Sequence, residues 1–108
     1  MNKIQNRVKL IEHLGADPEI RTLDSGRKVA NFRIATNSSY SNDKGERVED
    51  TQWHSIVAWG KLAEISEKHL TKSKKVAIEG KLVHRSYEAK DGEKRYITEV
   101  NCDELMML

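Results

Sequence analysis

Two tryptophans stand six positions apart in a segment rich in β-forming residues. Trp53 and Trp59 occupy odd positions of the segment 51–59, together with a threonine, a serine and a valine. Alternate residues of a strand lie on one face and each residue rises by about 3.3 Å, which would place the two indoles roughly 20 Å apart. That spacing would accommodate several unstacked nucleobases. Flat rings so arranged predict stacking rather than bond-making chemistry.

A second interpretation of the tryptophans stays open, because tryptophan in a strand is more often part of a core. Against it, the predicted interior is already occupied by Phe32, Ile34, Ile56, Val76, Ile78 and Leu82. Two tyrosines favour binding. Tyr40 lies in a polar stretch where no core is available, and Tyr87 shares strand parity with Lys81 and Arg85.

Positive charge is concentrated in one window of a nearly neutral chain. The chain has 19 Lys and Arg against 17 Asp and Glu, yet residues 68–85 contain six cations and one glutamate. A solvated lysine-rich face and a basic patch are both compatible with this window. Rings beside cations are what a sequence-independent single-strand binder needs, because every base has a π-face while cations follow the phosphates.

No catalytic motif accompanies these residues. The four histidines are scattered, and the sequence contains no G-x-S-x-G, H-E-x-x-H or P-loop motif. The single cysteine, Cys102, cannot form an internal disulfide and supplies no metal-ligand cluster, so we predict that it is a small buried residue. We therefore predict no enzymatic activity, no metal and no cofactor.

Glycines divide the 108 residues into short segments, which predicts a single domain over 1–108. Strands are predicted at 8–14, 29–36, 51–59, 75–83 and 97–105, and 19–23 continues the first strand after a bend at 15–18. Only 61–70 has the apolar spacing of a helix. The polar stretches 37–50 and 87–95 are predicted to be long loops.

Five strands around one helix predict an all-β fold: a five-stranded OB-fold barrel with one short α-helix between strands 3 and 4. Such a barrel binds its ligand on one strand face and in its long loops. Tyr96, at the start of the last strand, is assigned a structural role. No apolar run approaches the about 20 residues of a membrane span, and no signal peptide is recognisable, so we expect an intracellular protein with no membrane contact.

Seven segments of the chain form a recognisable series: NRVKLI (6–11), LGADPEIR (14–21), VANFRIAT (29–36), TQWH (51–54), VAWGKLAE (57–64), IEGKL (78–82) and RYITEV (95–100). With these segments in this order, the chain resembles the bacterial and mitochondrial type of single-stranded DNA-binding protein family, SSB, over nearly its whole length. The resemblance implies an OB-fold that wraps single-stranded DNA as a homotetramer, with a dimer as the alternative.

The resemblance also implies site residues. The family's stacking aromatics fall on Tyr40, Trp53, Trp59 and Tyr87. Its basic DNA contacts fall on Arg21, Lys61, Lys72, Lys81 and Arg85. His54 matches a residue near the subunit interface, with a half-buried strand histidine as the alternative. Val83 and Ser55 replace arginines common in the family, so no DNA contact is expected from them.

The function implied is protection of single-stranded DNA during replication, recombination and repair, in the bacterial cytoplasm with the nucleoid. Family members usually continue past the segment 105–108 into a flexible linker and an acidic tail, whereas this sequence ends at Leu108. We therefore expect no tail-mediated recruitment of repair or replication enzymes. A tailless accessory OB module, primosomal or RNA-binding, is the alternative function.

Overall fold

The computed structural model describes residues 3–108, and side chains from residue 5 onward. A 3-10 helix, Lys3–Asn6, precedes six strands and one α-helix. The strands are β1 (Val8–Leu14), β2 (Glu19–Thr22), β3 (Lys28–Ser41), β4 (Arg47–Trp59), β5 (Lys75–Glu88) and β6 (Lys94–Met107). The helix α1 (Lys61–His69) lies between β4 and β5.

Strand pairing closes the sheet into a barrel. The strands follow the order β1-β5-β6-β4-β3-β2, and an additional pairing between β1 and β3 joins the sheet to itself. Because β1 and β2 both pair with β3, on either side of the bend at 15–18, they act as two halves of one strand. The predicted five-stranded OB-fold barrel, with its helix between the third and fourth strands, is confirmed.

Even-numbered residues of β3, β4 and β5 fill the barrel. Phe32 and Ile56 pair across β3 and β4 and are 4% and 1% exposed. Val76 and Ile78 add the contribution of β5. Leu82 was expected to continue this row but is 39% exposed. The expectation is wrong because β1 pairs with β5 only as far as Gly80, so that Leu82 lies beyond the barrel wall.

The helix α1 follows the outline of the prediction and packs on the barrel through its small residues. It begins after Gly60, whose φ of 58° is in the left-handed region that favours glycine. Ala63 and Ser66 are buried, and the Ser66 hydroxyl donates a hydrogen bond of 2.8 Å to the Leu62 carbonyl. No helix in the described part of the chain has the length and apolar character needed to cross a membrane.

The two predicted long loops are wrong. β3 and β4 extend as paired strands to a tip at 42–46, and β5 and β6 extend to a tip at 89–93. We call residues 37–51 the β3–β4 arm and residues 84–98 the β5–β6 arm. Both faces of each arm are largely exposed, so no apolar alternation marks the strands in the sequence. The arms explain a radius of gyration of 16.1 Å, above the about 13 Å typical of a compact domain this size.

Candidate functional site

The two tryptophans lie on the outside of the barrel. Trp53 and Trp59 are 51% and 36% exposed, whereas Ile56 and Ala58, between them in the sequence, are buried. We use "outer face" for the odd positions 53–59 of β4 together with the residues that pair with them on β3 and β6. Strand alternation therefore separates the rings from the core, and the interpretation of both as core residues is wrong.

Two shallow clefts follow the outer face. One reaches Trp53 and the bend at 15–17, and the other reaches Trp59 and Val83. Both clefts are lined by Arg21 from β2 and Arg85 from β5. Two of the five predicted basic residues thus lie between the tryptophans, where a single-stranded nucleic acid stacked on both rings would pass.

An arginine covers each indole. The Arg33 guanidinium carbon lies 5.0 Å from the centre of the Trp53 ring, and that of Arg27 lies 4.8 Å from the Trp59 ring. A guanidinium over an indole is attracted to the ring quadrupole and restricts the ring's orientation. Sequence reasoning assigned neither arginine to the site. Only the pairing of β3 with β4 reveals these contacts.

The bend after β1 packs against Trp53. The Gly15 N–H donates to the Arg33 carbonyl at 3.0 Å, which holds the bend against β3. A Cβ at Gly15 would come within 2.8 Å of Cη2 of Trp53 and still closer to Cζ3. Glycine is therefore needed here for the close approach of the ring. Lys72 is tied to the same bend, since its backbone N–H donates to Asp17 Oδ1 at 2.7 Å.

Arg85 is bound by a buried carboxylate. Its Nε donates to Glu99 Oε1 at 2.7 Å and its Nη2 donates to Oε2 at 3.2 Å. Glu99 is only 7% exposed. The hydrogen bond to Glu99 raises the pKa of Arg85, whose cation is therefore balanced by a fixed negative charge on the outer face. Arg85 therefore holds the Glu99 carboxylate in position, and both residues line the two clefts.

Three of the predicted lysines lie around the clefts rather than in them. Lys81 is exposed on β5 and pairs in register with Asn101, which lines the Trp59 cleft. Lys61 is the first residue of α1, two positions after Trp59, and is exposed. Lys72 is exposed at the Gly15 bend.

The tyrosines lie on the arms, in strands and not in loops. Tyr87 is 46% exposed at an odd position of β5, on the side of Arg85. Tyr40 is 58% exposed but pairs with Val48, at an even position that alternates with the Trp53 side. The structure thus places Tyr87 in line with the outer face and Tyr40 on the reverse side of the β3–β4 arm.

Tyr96 does not have the structural role that the sequence suggested. It is 77% exposed, and the Lys94 ammonium lies 5.7 Å from its ring centre. The ring is at an even position of β6, on the reverse side of the β5–β6 arm from Tyr87. The prediction is wrong because it places Tyr96 at the start of the barrel strand, whereas β6 (Lys94–Met107) already begins on the arm.

His54 and Cys102 lie away from the clefts. The imidazole Nε2 of His54 shares a hydrogen bond of 2.9 Å with the Thr36 hydroxyl, and the side chain is half-buried. Cys102 is buried as predicted, and burial raises its pKa to about 11. Within the described residues, no group of three or more His, Cys, Asp or Glu side chains is placed to hold a metal ion.

A second exposed apolar surface lies on the other side of the barrel. It is a shallow groove with Ile11, Leu62, Ala77 and Met106 in its lining, and we call these four residues the aliphatic face. Ile11 and Met106 are 56% and 63% exposed. Three charged residues also line the groove: Lys9, Glu79 and Glu104. Of these, Glu79 is bound by Arg7 at 2.7 Å, and Arg7 also binds Asp103 at 2.6 Å. Sequence reasoning did not identify this surface, because its members come from four separate elements.

Comparison with known proteins connects this geometry to a family. A family model described as "Single-strand binding protein family" matches residues 5–108. Single-stranded DNA-binding protein 1 of Chlorobaculum tepidum is 48% identical over 104 residues, which cover 95% of this chain and 64% of that protein. The Single-stranded DNA-binding protein of Neisseria meningitidis serogroup A is 42% identical over 103 residues, covering 95% and 59%.

The chain therefore spans less than two thirds of the length of both relatives. A solved structure of a Plasmodium falciparum SSB complex with ssDNA is similar over the whole fold. Its TM-score is 0.89 at 32% sequence identity, with 100% of this chain and 99% of that chain covered.

Proposed function

The chain belongs to the single-strand binding protein family, and from that premise we propose that it binds single-stranded DNA without sequence specificity. One observation carries the proposal: Trp53 and Trp59 are both open to solvent on one outer face, at the two ends of a pair of clefts. Stacking on such rings contributes about 1–3 kcal/mol per base and is tolerant of sequence.

Cations around the rings supply the second contribution. Neutralisation of phosphates releases condensed counterions, so binding driven in this way weakens as salt is added. We propose that bases stack on Trp53, Trp59, Tyr87 and Tyr40, the last reached where the strand passes around the β3–β4 arm. The proposed phosphate contacts are Arg21, Lys61, Lys72 and Lys81. Arg85 is also predicted from the sequence as a DNA contact, but Glu99 balances its charge, so we propose that it lines the two clefts rather than binding a phosphate.

Sequence-independent binding fits a protective role. We propose that the chain covers exposed single strands during replication, recombination and repair, in the bacterial cytoplasm with the nucleoid, and that it catalyses no reaction. The alternative is an accessory OB module that is primosomal or binds RNA. A primosomal module would share the fold without needing this set of exposed rings, whereas single-stranded RNA could stack on the same rings and is separated by competition.

Competition binding separates these functions. A fluorescently labelled oligo(dT) is bound by the protein and displaced with unlabelled single-stranded DNA, duplex DNA or RNA of equal length. We expect single-stranded DNA of any sequence to compete within a few-fold of oligo(dT), and duplex to compete least. Affinity should fall with salt with a slope of about −0.7 per neutralised phosphate. Stronger competition by RNA would favour the alternative module, and no binding of oligo(dT) would overturn the proposal.

We further propose that the chain self-associates as a homotetramer, with a dimer as the alternative, and that the aliphatic face is one contact. Exposed Ile11 and Met106 beside paired charges are suited to a dry protein contact. β1 offers a second surface, since residues 8–12 pair along one edge with β5 while the other edge pairs with β3 only from His13. His54 stays a proposed interface residue, held in position by Thr36.

A further inference from the structure

We infer that Arg27 and Arg33 are DNA-binding residues that make Trp53 and Trp59 one-sided platforms. Each guanidinium covers one side of its indole, so a base stacks on the ring surface that stays exposed, which at Trp53 excludes the part packed against Gly15, and the phosphate of that nucleotide binds the guanidinium edge. The inference rests on the proposed function and adds two residues and a position for the DNA backbone.

The guanidinium groups of Arg27 and Arg33 differ from those of several other cations in whether they are paired with a carboxylate. Several cations of the barrel are occupied by carboxylates within 3 Å: Arg7, Lys28, Arg85 and Arg95. Among the residues that the structure describes, Arg27 and Arg33 make no ion pair, and their side chains contact rings instead. Their charge is therefore available to a ligand.

The geometry of a stacked guanidinium leaves its donors accessible. When the plane of the group lies over a ring, its five N–H donors point outward in that plane. They remain free to bind a phosphate while the flat side stays on the indole. Lysine could supply the charge but not this combination, because an ammonium neither stacks as a plane nor presents a fork of donors.

Both arginines lie on the same side of the outer face. Arg33 is on β3 and Arg27 immediately precedes it, so both approach the β4 indoles from the β3 side. On the other side, the buried Glu99 carboxylate holds Arg85 and would repel a phosphate.

The β3 side is not free of acidic groups. Asp17 and Glu19 line the Trp53 cleft, but Asp17 accepts the Lys72 N–H and neither forms an ion pair with Arg33. The sugar-phosphate backbone of the bound single-stranded DNA is therefore placed along β3, with the bases directed toward β4.

The test compares charge and stacking separately. Arg33→Gln and Arg27→Gln remove the charge, while Arg33→Lys and Arg27→Lys keep the charge and remove the planar stack. Lys68→Gln is the matched control, since Lys68 is exposed on α1 and lines neither cleft. Oligo(dT) affinity is measured over a range of salt concentrations, and thermal unfolding verifies that each variant is folded.

We expect each glutamine variant to bind several-fold more weakly, with the slope of log affinity against log salt reduced by about 0.7. The lysine variants should keep the parental slope and still bind more weakly. Glutamine variants that behave like Lys68→Gln would overturn the inference. If Trp53→Ala weakens binding while the arginine variants do not, only this inference fails. If the parent does not bind oligo(dT), the proposed function fails and the inference fails with it.

Discussion

The outer face and the aliphatic face both expose large apolar side chains on one small barrel, yet they differ in two respects. The outer face presents flat indoles, and the arginines at those rings form no ion pair with any carboxylate in the described part of the chain. The aliphatic face presents flexible side chains such as Met106, and Arg7 beside it is held by Glu79 and Asp103. Exposed apolar area therefore does not by itself indicate what a surface binds.

Whether the neighbouring charges are paired indicates what kind of partner each face can bind. A cation without a carboxylate partner can bind a phosphate, whereas Arg7, held by Glu79 and Asp103, is already neutralised. Rings and free cations suit a nucleic acid, and aliphatic groups with paired charges suit another protein surface. The substitutions below test whether the two faces have separate roles.

The largest effect is expected when both indoles of the outer face are removed. Each single variant, Trp53→Ala or Trp59→Ala, should lose about 1–3 kcal/mol of binding to oligo(dT) because one stacking surface is removed. The double variant should bind at least a hundredfold more weakly, without the two losses being strictly additive. Fluorescence anisotropy with labelled oligo(dT) measures the change.

The matched control is Ile11→Ala on the aliphatic face. It removes an equally exposed apolar side chain and should leave DNA affinity unchanged. Equal losses in the tryptophan and isoleucine variants would mean that the two faces do not have distinct roles.

The next effect should appear on the other face. Met106→Glu or Ile11→Glu places a charge in the proposed subunit contact, where desolvation and repulsion should weaken self-association roughly tenfold or more. Light scattering at matched concentrations measures the shift toward smaller species. Ser41→Glu, near the tip of the β3–β4 arm, is the control. An unchanged molecular mass in the aliphatic-face variants would show that the contact lies elsewhere.

A smaller effect is expected at Gly15. In Gly15→Ala the added methyl must displace the Trp53 ring, since the two would otherwise overlap. We expect a several-fold loss of oligo(dT) affinity and an altered tryptophan emission spectrum, with the barrel still folded. Ala16→Ser, an exposed neighbour in the same bend, should change neither. Parental affinity in Gly15→Ala would mean that the orientation of Trp53 does not matter.

The smallest effect on binding is expected at Cys102, which is buried in the core and belongs to neither face, and the change expected there concerns alkaline stability. In the folded chain the pKa of Cys102 is about 11, while a cysteine in an unfolded chain has a pKa of about 8.5. Between these values the unfolded chain loses a proton that the folded chain retains, so the free energy of unfolding should fall as the pH rises. Cys102→Ala should lack this part of the pH dependence in denaturant titrations, and both proteins should bind DNA equally.

Strand parity and the family resemblance predicted the barrel, its helix and the exposure of both tryptophans. Parity sufficed for the tryptophans because the even positions Ile56 and Ala58 fill the barrel while Trp53 and Trp59 stay exposed, although Val57 at an odd position is buried as well. The arms could not be recognised in the same way. Both faces of each arm are in solvent, so the sequence lacks the apolar alternation that marks a strand. For this reason the sequence predicts a loop at Tyr40 and the start of a barrel strand at Tyr96.

Contacts between distant segments were also beyond sequence reasoning. Arg27 and Arg33 become part of the site only through the register of β3 against β4, and the carboxylate that occupies Arg85 comes from β6. The aliphatic face likewise requires the pairing of β5 with both β1 and β6, which places Ile11 and Met106 on either side of Ala77.

Whether the indoles of the outer face hold the bases is tested most directly by the nuclear magnetic resonance signals of their ring N–H groups. The chain has two tryptophans, so a nitrogen-labelled sample has two indole N–H signals. During titration with oligo(dT), both signals should shift or broaden in proportion to the fraction bound, while backbone signals of the aliphatic face should move less. Saturable binding with both indole signals unmoved would contradict the stacking role of Trp53 and Trp59.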